Sequence, residues 1–415
     1  MTWQPPPRPE WVRAVNAGEV LPIAEEASLP LTQESLLGEA RARTSMDDFG
    51  DDDLREPLSV LLPALEHEAE LTLLGRWITR RFLLRMLEVR LQLAAYVAAD
   101  PGVHDEQIVA PLFVTGAPRT GTTILHALLA ADPENRVPEG WELLRPVPPP
   151  DPATGTDDPR IALADRELRL PAVVVGGLDA IHVYGGRMPK ECVSSMSFVL
   201  RSEEFTARYH VPSYANWLFA CDMHPAYEMH KLVLQVLQRR TGPGRWVLKS
   251  PVHLHSLPVL LDVYPDAQVA VTHRDPLTVL ASVSSLVAAL RYAHSDQVDM
   301  TEIGRYHADL YHRALDGLAR ADERGTLPRE RFHHSHYGDF IDDGVGVVRA
   351  LYGSIGRVLS DDAASRMQAH LDAQPKGSHG SHDYDFGDLG LDVDVERARY
   401  ATYTSHFGVG EASGA

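Results

Sequence analysis

The chain has 415 residues, with 39 Lys plus Arg against 58 Asp plus Glu and a formal charge of −19. Its 44% apolar and 23% charged residues are ordinary for a globular protein, and the acidic balance counts against wholesale binding to nucleic acid or anionic membranes, where basic patches supply most of the affinity. The only cysteines, Cys192 and Cys221, form no CxxC pair and no disulfide framework, so a reducing cytoplasm is the expected compartment. The start, Met1-Thr-Trp-Gln-Pro-Pro-Pro, has neither a basic region nor an apolar one, which predicts no signal peptide. No stretch reaches the ~20 apolar residues of a membrane span. Leu58 to Leu74 and Ile78 to Ala99 carry leucines at three- and four-residue spacings, predicting amphipathic helices within a helical extension over residues 1–105. The acidic run Asp47 to Asp53 lacks the EF-hand spacing and reads as a solvated linker.

From residue 111 the pattern changes. Three β-rich runs, Pro111 to Gly116, Arg245 to Lys249 and Ala267 to His273, each lead into an apolar helical stretch. Phe332 to Tyr337 is a candidate fourth strand. Strands followed at once by helices predict a parallel α/β sheet with ligands at the carboxyl ends of its strands. Residues 160–240 look mostly helical and are expected to cap the substrate side. Residues 375–392 look like a loop, and Val393 to Phe407 like a final helix.

The most informative segment is Gly116-Ala117-Pro118-Arg119-Thr120-Gly121-Thr122-Thr123. A nucleoside-triphosphate loop reads G-x-x-x-x-G-K-S/T between a strand and a helix. Here both glycines and the final hydroxyl are present, but Thr122 stands in place of the lysine. Backbone N–H groups at a helix N-terminus still form an anion site. Thr122 and Thr123 add hydroxyls, and Arg119 adds a charge. What is lost is the lysine that reaches the β- and γ-phosphates, which disfavours a kinase-like phosphotransferase.

This loop resembles the 5′-phosphosulfate loop of sulfotransferases, which bind 3′-phosphoadenosine 5′-phosphosulfate (PAPS) on a P-loop NTPase-like sheet flanked by helices. Two further motifs share the resemblance. Arg274 closes a strand and Ser282 lies eight residues on, the pair that holds the 3′-phosphate in that family. Lys249 in Leu248-Lys249-Ser250-Pro251-Val252-His253 matches the lysine that contacts the transferring sulfuryl group. Weaker similarity runs to Pro189 to Cys192, to Lys376, a further candidate cofactor contact, and to Tyr384 to Gly387. The resemblance implies a PAPS-binding sulfotransferase domain over residues 106–415, no required metal, and 3′,5′-adenosine bisphosphate as the spent donor. The layout resembles the bacterial branch of the family, with its helical N-terminal extension.

The general base is left open by the sequence. The histidine expected two residues after Lys249 is replaced by Pro251, making His253 the nearest candidate. Other branches use a glutamate about twenty residues past the loop, which points to Glu142, with Glu139, Glu191 and His182 as further options. Selectivity for a small-molecule or lipid acceptor is expected from residues 140–240 and from the N-terminal helices. Trp141, Met188, Met196, Phe198, Tyr209, Tyr214, Trp217 and Phe219 are candidates for an apolar cavity or for ordinary core. His333, His334 and His336 read as strand residues rather than a metal site. A non-catalytic nucleotide-binding scaffold is the remaining alternative. Oligomeric state is not readable.

Overall fold

The computed structural model describes residues 3–153, 157–176, 178, 185–373 and 386–410. Its sheet consists of β1 (Leu112–Thr115), β2 (Asn135–Arg136), β3 (Arg245–Lys249), β4 (Gln268–His273) and β5 (Phe332–His336), ordered β2-β3-β1-β4-β5 with every pair parallel. Parallel neighbours require crossovers, and the helices that make them cover both faces. β2 is two residues long and polar, so it left no hydrophobic signal.

β1 is wholly buried and its side chains alternate between two cores. Phe113, with Leu248 and Val269 beside it in register, faces the larger core. Leu112 and Val114 face a second one, shared with Leu125 and Leu128 of the helix Thr122–Ala130 and Val348 of the helix Tyr337–Ser354. Lys249 is in register with Val114, which brings the end of β3 alongside the helix that follows β1. After β1 the chain runs to β2 and β3 on one side and to β4 and β5 on the other. That switch point is where α/β sheets hold ligands.

The predicted helices over 58–74 and 78–99 are redrawn as Arg55–His67 and Leu73–Ala99. Between them Glu70 takes φ 43°, and the Thr72 hydroxyl accepts the Gly75 N–H at 3.0 Å, a capping contact that restarts the helix. Gly75 is required there, since a Cβ would lie 1.9 Å from the His294 carbonyl oxygen. Asp53 of the acidic run pairs with buried Arg90 at 2.8 Å. Leu36, Leu61 and Leu84 of the extension join the same buried cluster as Phe113, so the extension and the sheet share one core.

Within 160–240 the described residues form the helices Pro159–Val174, Val193–Met196, Glu203–Arg208, Pro212–Leu218 and His224–Thr241. The predicted final helix is two, Val393–Arg399 and Ala401–Phe407, meeting at Tyr400, whose hydroxyl donates to the Ala308 carbonyl at 2.9 Å. Lys376, Tyr384 and His182 lie outside the described residues. No described helix is long and apolar enough to cross a membrane.

Candidate active site

The turn after β1 is built from conformations that few side chains tolerate. Gly116 has φ 145°, and a Cβ on it would lie 2.6 Å from the Thr272 carbonyl oxygen. Arg119 and Gly121 take φ 69° and 102°, and the helix begins at Thr122. A helix start leaves several N–H groups without intrahelical acceptors, which suits an anion. Thr120 braces the turn: its hydroxyl donates to the Ala117 carbonyl at 2.6 Å and meets the Thr272 hydroxyl at 2.5 Å. It is fully buried and acts on the loop's shape.

Cations from three strand ends converge on this turn. Lys249 is buried at the end of β3, its Nζ 3.3 Å from Thr123 Oγ1 and 2.5 Å from Glu191 Oε1. Arg274, just past β4, donates to the Arg119 carbonyl at 2.9 Å, and its guanidinium stacks 4.0 Å from the ring centre of Tyr337. Arg119 in turn donates from Nε to Ser282 Oγ at 3.2 Å. Arg119, Gly121, Thr122, Thr123, Lys249 and Arg274 line one cavity of about 290 Å³; Ser282 reaches it through Arg119.

The other end of this cavity is apolar, walled by Val283, Leu286, Val287 and Leu290 of the helix Pro276–Tyr292 and by Leu310 and Tyr311 of the helix Met300–Glu323. Of the aromatic residues open to cavity or core, those of the 141–214 stretch are core. Phe198, Tyr209 and Tyr214 are buried in the main core, and Trp141 packs in a small cluster with Ala164 and Leu168. Among the described residues, none before Pro118 lines the cavity, so the N-terminal helices shape it only through the shared core.

The candidate bases separate clearly. Glu142 is buried, pairs with Arg136 at 2.6 Å, and accepts the Glu139 N–H at 2.8 Å, closing the start of the helix Gly140–Leu144. Glu139 accepts from the Trp141 indole at 2.7 Å. His253 is fully buried; its Nδ1 lies 2.8 Å from the Tyr227 hydroxyl and its ring packs edge-on to Phe113. Burial pushes the His253 pKa down to about 3, so the ring stays neutral. None of Glu139, Glu142 and His253 lines the cavity, whereas Glu191 does.

Two further carboxylates line the cavity, Glu203 and Glu204, and no motif spacing could have revealed them. Burial, reinforced by the charge of Glu191, pushes Glu203 up to about 8. Burial also opposes ionisation of Glu204, but the charges of Arg208 and Lys190 overcome it and hold that carboxyl down to about 2. Tyr337 was also missed, although it directly follows the last strand.

Burial holds His126, His230, His253, His294 and His307 each at about 3 when folded. An unfolded histidine titrates near 6.5, so the unfolded state binds more protons between these values and stability falls as pH drops below about 6.5. Each such group contributes up to ~1.4 kcal/mol per pH unit. Glu203, held up to about 8, acts in the opposite sense, so thermal melts from pH 8 to pH 5 are expected to rise slightly down to about 6.5 and to fall steeply below it, where the five histidines dominate.

His334 Nδ1 lies 2.8 Å from His273 Nε2, and His273 Nδ1 lies 2.9 Å from the Tyr403 hydroxyl. Among the described residues, no group of three or more His, Cys, Asp or Glu side chains is placed to hold a metal ion.

The sheet order, the braced glycine turn and the cavity that joins cations to an apolar wall define a P-loop-like α/β protein with an anion cradle at its switch point. The chain belongs to the sulfotransferase family, whose model matches residues 111–361. Its fold matches the crystal structure of sulfotransferase STF9 from Mycobacterium avium with a TM-score of 0.83 and 30% identity, covering 92% of this chain and 98% of that one. Sulfotransferase STF1 from Mycobacterium tuberculosis matches with a TM-score of 0.78 and 35% identity, over 89% of this chain and 98% of that one. Omega-hydroxy-beta-dihydromenaquinone-9 sulfotransferase Stf3 from Mycobacterium bovis and from Mycobacterium tuberculosis is 28% identical over 284 residues, 64% of this chain. That match spans 65% of the length of these curated relatives.

Proposed function

We propose that this chain transfers the sulfuryl group of PAPS to the hydroxyl of a small, mostly apolar acceptor of lipid type. The observation that carries this reading is the single cavity with Arg119, Lys249 and Arg274 at one end and aliphatic side chains at the other. The side chains fit an anionic nucleotide, with cations, hydroxyls and a helix start gathered around a turn too tight for any residue but glycine at position 116. The acceptor of the Stf3 relatives, a hydroxylated dihydromenaquinone, supports an apolar acceptor bearing a hydroxyl.

PAPS supplies the activated sulfuryl group and a phosphate leaving group. The turn's N–H groups, Thr122, Thr123 and Arg119 bind the 5′-phosphate, and Arg274 with Ser282 takes the 3′-phosphate. The Lys249 ammonium neutralises charge as it develops on the leaving oxygen, a preorganised electrostatic effect strongest in a dry site. Glu191 takes the proton of the acceptor hydroxyl, and its contact with Lys249 keeps both groups at the meeting point of donor and acceptor. Gathering the reactants in line supplies most of the remaining acceleration.

Glu191→Gln is expected to slow single-turnover transfer by about 100-fold or more, within the 10²–10⁴ range of general-base catalysis. Glu142→Gln is expected to lower the melting temperature and leave the rate of the remaining folded enzyme near wild type. The opposite pattern would return the base assignment to Glu142.

The reading itself is tested by ligand-induced stabilisation. With 3′,5′-adenosine bisphosphate at 100 times its Kd, the protein is expected to gain about 2.7 kcal/mol. A response to ATP–Mg²⁺ alone would favour a phosphotransferase instead. Binding without sulfate transfer to any hydroxylated acceptor would favour a non-catalytic scaffold.

A further inference from the structure

A second cavity, of about 250 Å³, adjoins the first. The two share three wall residues, Val193, Glu203 and Val252. Beyond this waist the second cavity is mostly apolar, with Met196, Leu218, Phe219, Met223 and Val259 in its wall. Two polar side chains, Glu203 at the waist and His255 in the wall of the second cavity, approach each other there. His255 Nε2 is buried and unpartnered. Its nearest ionisable contact is Glu203 Oε1 at 3.7 Å, too far for a direct hydrogen bond. Buried polar groups are generally satisfied, so an imidazole nitrogen left open beside a carboxyl where two cavities meet points to a ligand atom within reach of both.

We propose that the acceptor site continues past Val193, Glu203 and Val252 into the second cavity. The acceptor is then an elongated apolar alcohol with an uncharged hydrogen-bonding oxygen partway along its chain, held by Glu203 and His255. This rests on the sulfuryl-transfer reading above, because the acceptor's hydroxyl is placed at Lys249 and Glu191.

The surroundings keep the waist uncharged. Burial and the neighbouring Glu191 push the Glu203 carboxyl up to about 8, while burial, aided by Arg313, pushes His255 down to about 4. Tyr227, Tyr306 and Tyr311 also face Glu203 electrostatically, and burial raises all three phenols, so they are neutral. Asp222 lies in the wall of the second cavity. Near neutral pH, Glu203 is therefore a hydroxyl donor beside a neutral imidazole. An ether or carbonyl oxygen fits that pair, and a carboxylate does not.

The test compares three probes: hexanol, dodecanol, and an ether of dodecanol's length with one mid-chain methylene replaced by oxygen. Binding is measured calorimetrically with 3′,5′-adenosine bisphosphate present, and transfer is measured in parallel with PAPS. The wild type is expected to bind the ether about tenfold more tightly than dodecanol, the value of one hydrogen bond. Glu203→Gln, which still donates, is expected to keep that preference, and Glu203→Leu to lose it. In the wild type the preference should vanish as pH rises through about 8, where Glu203 ionises and can no longer donate; in Glu203→Gln it should be independent of pH. Val259→Trp, which fills the second cavity from a wall residue the first cavity does not share, should cancel dodecanol's advantage over hexanol while hexanol binds as before. Equal ether preference in wild type and Glu203→Leu, no gain from chain length, or no binding of any probe overturns the proposal. The predicted binding pattern without any sulfated product would sink the transfer reading alone.

Discussion

Lys249→Met is expected to lower kcat by about 100- to 1,000-fold, with KM for PAPS changed only a few-fold. That range is the cost of removing one preorganised donor aimed at charge that develops in the transition state. The lysine's ground-state partners are Thr123 and Glu191. In the proposed mechanism its net stabilisation grows only as the sulfur–oxygen bond breaks, so the loss is expected on kcat. Methionine keeps the apolar stem in a position that is 3% exposed, and an unchanged melting temperature would separate chemistry from folding. A large rise in KM with kcat intact would show instead that Lys249 only binds the donor.

Arg274→Ala is expected to act in the opposite sense, raising KM for PAPS about 10- to 100-fold with a smaller effect on kcat. A hydrogen bond to a charged group contributes about 1.5–3 kcal/mol, and each 1.4 kcal/mol is tenfold. Arg274 also donates to the Arg119 carbonyl and stacks on Tyr337, so its loss loosens the residue that reaches Ser282. Tyr337→Phe keeps the stacking ring and should be near wild type. Tyr337→Ala should reproduce part of the Arg274 effect.

The cationic end of the cavity was readable from the sequence because its pattern is local. A turn that needs glycine at 116 and 121, followed by two hydroxyls, can be recognised from eight consecutive letters. Lys249 and Arg274 stand at strand ends, where the apolar runs stop. The parallel register then brings these separate segments together. The rest of the cavity was not readable in this way. Glu142 lies at the chain distance where a base was expected, yet the fold spends that carboxylate on Arg136 and a helix start. His253 follows the lysine closely but turns into the core against Phe113 and Tyr227. The aromatic residues between 141 and 219 were ambiguous between cavity and core, since helical spacing is the same for both. Glu203 has an ordinary helix-start sequence, and only packing places it between two cavities.

The acidic surface is compatible with the proposed anionic donor. Charges farther apart than about 8 Å are largely screened in physiological salt. The cradle works through contacts within hydrogen-bond reach.

Mass spectrometry of a lipid extract incubated with PAPS tests the central claim most directly, comparing the wild type with Lys249→Met. The wild type should generate an acceptor heavier by one SO₃, with stoichiometric 3′,5′-adenosine bisphosphate, and the variant should generate almost none. No sulfated product from the wild type, or equal product from both proteins, would contradict the account.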